Sequence, residues 1–261
     1  MKIAIVNQKG GTGKTTTSIN IGRGLVLLGY SVLVIDLDPQ ANLSYSLGIR
    51  DAESSIKDVF LGRCSVEDAL FQKDRMHILV SDINLSEIEM YSDEFSSPSY
   101  ILSEVIETIQ DDYDYVLIDC PPSISLLSTN ALVAANGVLI PMPLDVFSLQ
   151  GLEQIHKRVN GIREEKNHDL EIIGILPSMV DNRKNLTKEV LYFLENNFKI
   201  PVFNNHIRTD VKAAEAPSFG SSVIDYDPRS KSAQDFKNAS KELVERTNST
   251  SKYKSKLKTT I

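Results

Sequence analysis

Short apolar runs, mostly β-branched, alternate along the chain with stretches of helical periodicity. The runs read IAIVN (3–7), VLVID (32–36), HILVS (77–81), YVLID (115–119), GVLIPM (137–142) and EIIGIL (171–176). Helical patterns start at Thr15 and recur near 99–110, 149–165, 185–198 and 231–246. Strands apolar on both faces and separated by helices predict a parallel sheet buried between helical layers. The expected fold is therefore α/β, a doubly wound, mostly parallel sheet flanked by helices. Gly29 follows Leu25-Val26-Leu27-Leu28 and reads as the residue that ends the first helix and releases the chain into the second strand. Periodicity is weaker over 39–75, and no internal repeat is present. Residues 1–246 read as one domain. Residues 247–261 (TNSTSKYKSKLKTTI) are rich in Ser, Thr and Lys without an acid, and read as a basic, flexible tail.

Composition narrows the class. The 261 residues are 41% apolar and 24% charged, which is the balance of a soluble globular chain. Cys64 and Cys120 are too few for a disulfide scaffold, the N-terminus lacks the apolar core of a signal peptide, and the expected location is cytoplasmic. No run approaches the ~18 apolar residues of a membrane span. The net charge of −7 is uneven: residues 227–261 hold nine Lys and Arg against four Asp and Glu, so that end carries +5 and the rest −12. A chain this acidic binds nucleic acid through a local basic patch or through assembly of several copies.

The chemistry concentrates where the first strand runs into Lys9-Gly10-Gly11-Thr12-Gly13-Lys14-Thr15-Thr16 and a helix. Glycines let backbone N–H groups wrap a polyphosphate, and the helix offers its positive end. In such a loop Lys14 reaches the β and γ phosphates and the Thr15 hydroxyl ligates Mg²⁺. The usual pattern has glycine five residues before Gly13, where this chain has Gln8, and it carries a second lysine, Lys9. Two lysines on one tight loop are hard to aim at a single γ phosphate. Lys9 is either a surface lysine or a charge meant for a second chain.

This deviant loop, together with IAIVNQKGGTGKTTTSINIG and VLVIDLDPQANLS (32–44), resembles the ParA/MinD family of dimerising ATPases. Segments at 140–152, 177–186, 211–220 and 225–230 extend the resemblance to about residue 245. It implies ATP and Mg²⁺ as cofactors, bound by Lys9, Gly10, Gly11, Thr12, Gly13, Lys14, Thr15 and Thr16, in a sandwich homodimer in which Lys9 crosses to the other subunit's nucleotide. Strand-end aspartates are common simple caps, but the resemblance gives Asp119 the Mg²⁺ hydration shell and Asp38 the attacking water, leaving Asp36 structural. Arg208 and Asp210 stand where the family touches adenine with a different sequence, and an ordinary turn is the competing reading. Arg183 and Lys212 stand where the family places DNA-backbone contacts, with Lys184 and Lys188 beside the first; a solvated basic helix start is the plainer alternative. The iron–sulfur ligation of the related nitrogenase iron protein needs paired cysteines that this spacing does not supply.

The implied function is a DNA-segregation ATPase. Mg·ATP closes a dimer, the dimer holds double-stranded DNA on the nucleoid without sequence preference, and a ParB-like partner stimulates a weak ATPase and release. The loop begins nine residues from the N-terminus, which is expected to leave no room for an operator-reading domain. Two alternatives share the ATPase chemistry. One is a MinD-like membrane-cycling ATPase, for which Tyr253, Leu257 and Ile261 would form a weak insertion face, although no stable membrane association is expected. The other is ParA-like positioning of a protein cargo.

Overall fold

The computed structural model describes residues 1–181, 183, 185–198 and 200–258 and, of these, every side chain except those at 185–188, 195 and 249–258. Seven strands form one sheet: β1 (Lys2–Ile5), β2 (Val32–Asp36), β3 (Leu70–Lys73), β4 (Met76–Leu79), β5 (Tyr115–Asp119), β6 (Gly137–Pro143) and β7 (Glu171–Ser178). Their order is β3-β4-β2-β5-β1-β6-β7, and every pairing is parallel except β3 with β4. The helices are α1 (Lys14–Leu27), α2 (Asn42–Ser46), α3 (Ile56–Phe60), α4 (Ile101–Ile109), α5 (Leu126–Ala134), α6 (Val146–Glu165), α7 (Asn185–Asn197), α8 (Val211–Glu215), α9 (Val223–Tyr226) and α10 (Lys231–Lys258).

Strand alternation sorts the core into two layers. Ile3, Ile5, Val32 and Val34 meet α1, α9 and α10 on one face, while Ala4, Val6, Leu33 and Ile35 meet α3, α4, α5 and α6 on the other. Both layers are built of buried apolar side chains, so β1, β2 and β5 are apolar on each face, which is the pattern that made them readable. The expected strand at 77–81 is β4, and the expected helices at 99–110, 149–165 and 185–198 are α4, α6 and α7.

Gly29 does end α1. It sits at φ 95°, with its N–H donating to the Val26 carbonyl and the Tyr30 N–H reaching back to Leu25, the paired bonds that close a helix through a left-handed glycine.

Strand β3 and helix α5 have no counterpart in the periodicity, nor do the short helices α2, α3, α8 and α9. The edge strand β3 (LFQK) is half exposed and joins β4 through Asp74-Arg75, both at positive φ, as a two-residue hairpin requires. Helix α5 is buried on every side, its polar Ser128, Thr129 and Asn130 included, so it shows no amphipathic stripe, and Ser125 caps its start by accepting from the Ser128 N–H. The expected tail boundary at 246/247 falls inside α10. Thr247 is buried, its hydroxyl shares a hydrogen bond with Tyr115 Oη, and α10 extends through Lys258. The Tyr253 and Leu257 side chains and Ile261 lie outside the described residues.

Candidate functional site

β1, β5 and β2 are neighbours in the sheet, so their carboxyl ends bring the Gly-rich loop, Asp119 and Asp36 together; Asp36 and Asp119 are register partners. The loop enters α1 through Gly13 at φ 89°, a left-handed turn that a side chain would strain. The Gly13 carbonyl accepts the first helical bond, from Thr17. No side chain caps α1 and its first turn holds no acid, so the leading N–H groups of a 14-residue helix are left for an anion. Ser178 at the end of β7 donates to the Thr12 carbonyl, and Asn7 donates to the Pro141 carbonyl while accepting from the Lys9 N–H. These bonds clamp the loop to β6 and β7.

Lys14 is buried, and its ammonium donates to the Lys9 carbonyl at 3.5 Å. Burial holds its pKa below the ordinary lysine value, with the Asp119 charge opposing. A desolvated ammonium with one long bond is poised for a stronger anion. Thr15 Oγ1 donates to Asp119 Oδ2 at 2.7 Å, so the two residues expected to hold Mg²⁺ are in contact. Ser18, one turn on, donates to the other carboxylate oxygen at 2.9 Å, a role that a serine inside a helix does not signal in the sequence. Among the described residues no three His, Cys, Asp or Glu converge to hold a metal. A divalent ion here would rest on one hydroxyl, one carboxylate, phosphate and water, which is how Mg²⁺ is usually bound.

Asp38 is buried and accepts from the Gln40 N–H at 3.0 Å, which shapes the loop after β2. Asp36 is fully buried beneath it, accepting from the Ser44 N–H and hydroxyl. Burial pushes the Asp36 carboxyl up to about 7, helped by the Asp119 charge and opposed by Ser44. Burial likewise raises Asp119 to about 6, against the Thr15 and Ser18 hydroxyls and Lys14. Burial pushes the Cys120 thiol up as well, so it behaves as a small apolar side chain.

The folded chain thus binds protons at Asp36 and Asp119 more tightly than the unfolded chain, whose aspartates titrate at about 4. Their contribution to stability is complete below about pH 4 and is lost as pH rises through 6 and 7. Magnesium-free protein should therefore melt at lower temperature at pH 8 than at pH 5. Asp36→Asn, which keeps an acceptor for Ser44, should recover on the order of 1–3 kcal/mol at pH 8 in denaturant titrations. An unchanged pH slope in that variant would contradict the placing of the strain at Asp36.

Lys9 does not point at its own loop. Its ammonium lies 3.3 Å from Asp145 Oδ2 and beside the exposed Phe147 ring, while Asp145 Oδ1 caps α6 through Ser148. Arg208 and Asp210 line a cavity of about 260 Å³ beside the loop with Gly13, Thr16, Met179 and Ile207. Their charged groups, however, are engaged elsewhere. The Arg208 guanidinium forks onto Asp235 at 2.7 and 2.9 Å, and Asp210 caps α8 while accepting from Ser232. Both residues thus form part of the cavity wall, and its apolar surface comes from Met179, Ile207, Ala213 and Phe236. Arg183 pairs with Asp181 and Lys212 with Glu215, both at the surface. Lys184 and the Lys188 side chain lie outside the described residues.

A family described as "AAA domain" matches residues 1–172. The chain is 38% identical over 246 residues to the sporulation initiation inhibitor protein Soj of Bacillus subtilis, covering 93% of this chain and 97% of that one. It is 37% identical over 250 residues to the chromosome partitioning protein ParA of Caulobacter vibrioides, covering 94% of each. Among solved structures, cobyrinic acid a,c-diamide synthase from Mycobacterium smegmatis, with bound ADP and magnesium, superposes with a TM-score of 0.77 at 32% identity, covering 84% of this chain and 92% of that one.

Proposed function

The chain belongs to the ParA/Soj family of P-loop ATPases, and from that premise we propose that it is a Mg·ATP-switched DNA-segregation ATPase. The observation that carries the reading is the uncapped start of α1 with buried Lys14 beside the Thr15–Asp119 pair. Bound Mg²⁺ would neutralise phosphate charge and orient the nucleotide. Lys14 and the N–H groups of Gly10, Gly11, Thr12, Gly13, Lys14, Thr15 and Thr16 bind the polyphosphate; Thr15 and Asp119 hold the ion and its water. Asp38 orients the attacking water, and hydrolysis proceeds by positioning and charge stabilisation without a covalent intermediate. The cavity lined by Met179 and Ile207 takes the base, with Arg208 and Asp210 shaping its wall.

Lys9 leaves Asp145 to reach the nucleotide of a second subunit, so the closed state is a homodimer. Exposed Ile124, Val146 and Phe147 lie on loops and helix starts near this edge and supply apolar area for such a contact. The dimer holds double-stranded DNA through Arg183 and Lys212, and a ParB-like partner accelerates an otherwise slow turnover. The setting is the cytoplasm, on the nucleoid. Lys9→Ala should bind Mg·ATP and stay monomeric in light scattering, where the parent dimerises. ATP-dependent dimerisation of Lys9→Ala at parental affinity would sink the crossed-lysine site.

The continuation of α10 through Lys258 favours a second reading, membrane cycling by a basic C-terminal helix. No helix among the described residues is long and apolar enough to cross a membrane. ATP-dependent binding to anionic liposomes without binding to DNA would move the assignment there, and DNA-independent capture of a protein cargo would favour the positioning role.

A further inference from the structure

Arg183 and Lys212, the cations assigned above to the DNA backbone, are each closed onto an acid two or three residues away. Arg183 forks onto Asp181, with Nε to Oδ1 at 2.9 Å and Nη2 to Oδ2 at 2.8 Å. Lys212 Nζ stands 2.9 Å from Glu215 Oε2, over the Tyr226 ring. The four side chains sum to zero charge, so these two pairs by themselves offer DNA no net attraction.

The acids have holds of their own. Glu215 also accepts from Tyr226 Oη at 3.0 Å, and the Tyr226 ring stacks on Phe219. Asp181 Oδ1 also accepts from the Arg183 backbone N–H at 3.1 Å. Each carboxylate can therefore remain in place when its cation turns away, where it faces any approaching phosphate. The contact holds Lys212 above its ordinary pKa and Glu215 below.

We propose that Asp181 and Glu215 are built-in counter-anions that mask Arg183 and Lys212, so that each cation exchanges a carboxylate for a phosphate when DNA binds. The inference rests on the DNA reading of this surface. Exposed ion pairs are weakly held, the Arg183 side chain being 90% accessible, so the exchange is feasible. A duplex carries one charge per ~1.7 Å of axis, a density that a single carboxylate does not match. One subunit offers two such exchanges and a closed dimer offers four on one assembly. Masking thereby sets a threshold that a monomer fails and a dimer passes.

The test is fluorescence anisotropy of unrelated labelled duplexes with the full chain, Mg²⁺ and a non-hydrolysable ATP analogue, across a salt series. Glu215→Gln and Asp181→Asn should each tighten binding about three- to tenfold, since a dimer carries two copies of each weak pair. Lys212→Ala should weaken all duplexes alike and flatten the salt slope. Glu107→Gln removes the same charge from exposed Glu107 on α4, which packs on the opposite face of the sheet, and should change little. Unchanged affinity in both acid variants, with Lys212→Ala weakened, overturns the masking and leaves the DNA reading intact. Equal tightening by Glu107→Gln also overturns the masking, because net charge would then explain it. Failure of the parent and every variant to bind DNA overturns the DNA reading itself, and masking with it.

Discussion

Lys14→Ala is expected to lower nucleotide affinity by on the order of 10² to 10³-fold. The ammonium is already desolvated within the loop, so its attraction for β and γ phosphates is not screened by water. Truncating one partner of such a buried, hydrogen-bonded charge pair costs about 2–5 kcal/mol. Folding should not suffer, because the ammonium's bond to the Lys9 carbonyl is long and its burial is itself unfavourable. Calorimetric titration with Mg·ATP and Mg·ADP, alongside thermal melts, separates the two effects. Parental affinity in a folded variant would remove Lys14 from the phosphate site.

Asp38→Ala should leave nucleotide affinity within a few-fold of the parent and slow hydrolysis by about 10² to 10⁴, the usual contribution of a positioned base or water-orienting group. ATP would then persist, and the dimer with it. Asp38 has a second duty, accepting from the Gln40 N–H, so a slow alanine variant by itself does not distinguish chemistry from loop shape. Asp38→Asn keeps an acceptor for Gln40 and lacks the charge. Single-turnover phosphate release should be slow in both variants if the carboxylate acts on water. Recovery in Asp38→Asn would assign the residue to the loop alone.

The candidate site was legible to the extent that it is local. Strand, glycine loop and helix start occupy fifteen consecutive positions, Lys2 to Thr16, and each residue's use follows from its neighbours, so Lys14 and Thr15 could be placed by inspection. Asp119 could be placed at a strand end, because a buried strand announces itself by composition. Ser18 escaped notice since a serine inside a helix has no distinguishing pattern until the carboxylate facing it is known. Lys9 shows the limit most clearly. Its spacing argues that it leaves its own loop, while the partner it takes, Asp145, lies 136 residues away. Arg208 and Asp210 stand in the cavity wall, as adenine-side positions would, but only the tertiary structure shows that Asp235 and Ser232 of α10 engage their charged groups. The start of the tail depends on tertiary context for a related reason: Thr247 has a polar side chain, yet it is carried into the core by a helix begun at Lys231.

What the sequence determined by itself was the alternation of strands and helices, the two-sided burial of the central strands and the phosphate loop. Each of these is encoded in the period of apolar residues or in contiguous glycine chemistry, where one residue constrains the next. Tertiary structure decided the strand order, and with it the meeting of Thr15 with Asp119 across 104 residues and the stacking of Asp36 beside Asp119. It also decided which cations are free and which are already paired. Charges act over a few ångströms in space whatever their separation along the chain, so their partners, protonation and availability are set only when the sheet brings distant segments to one edge.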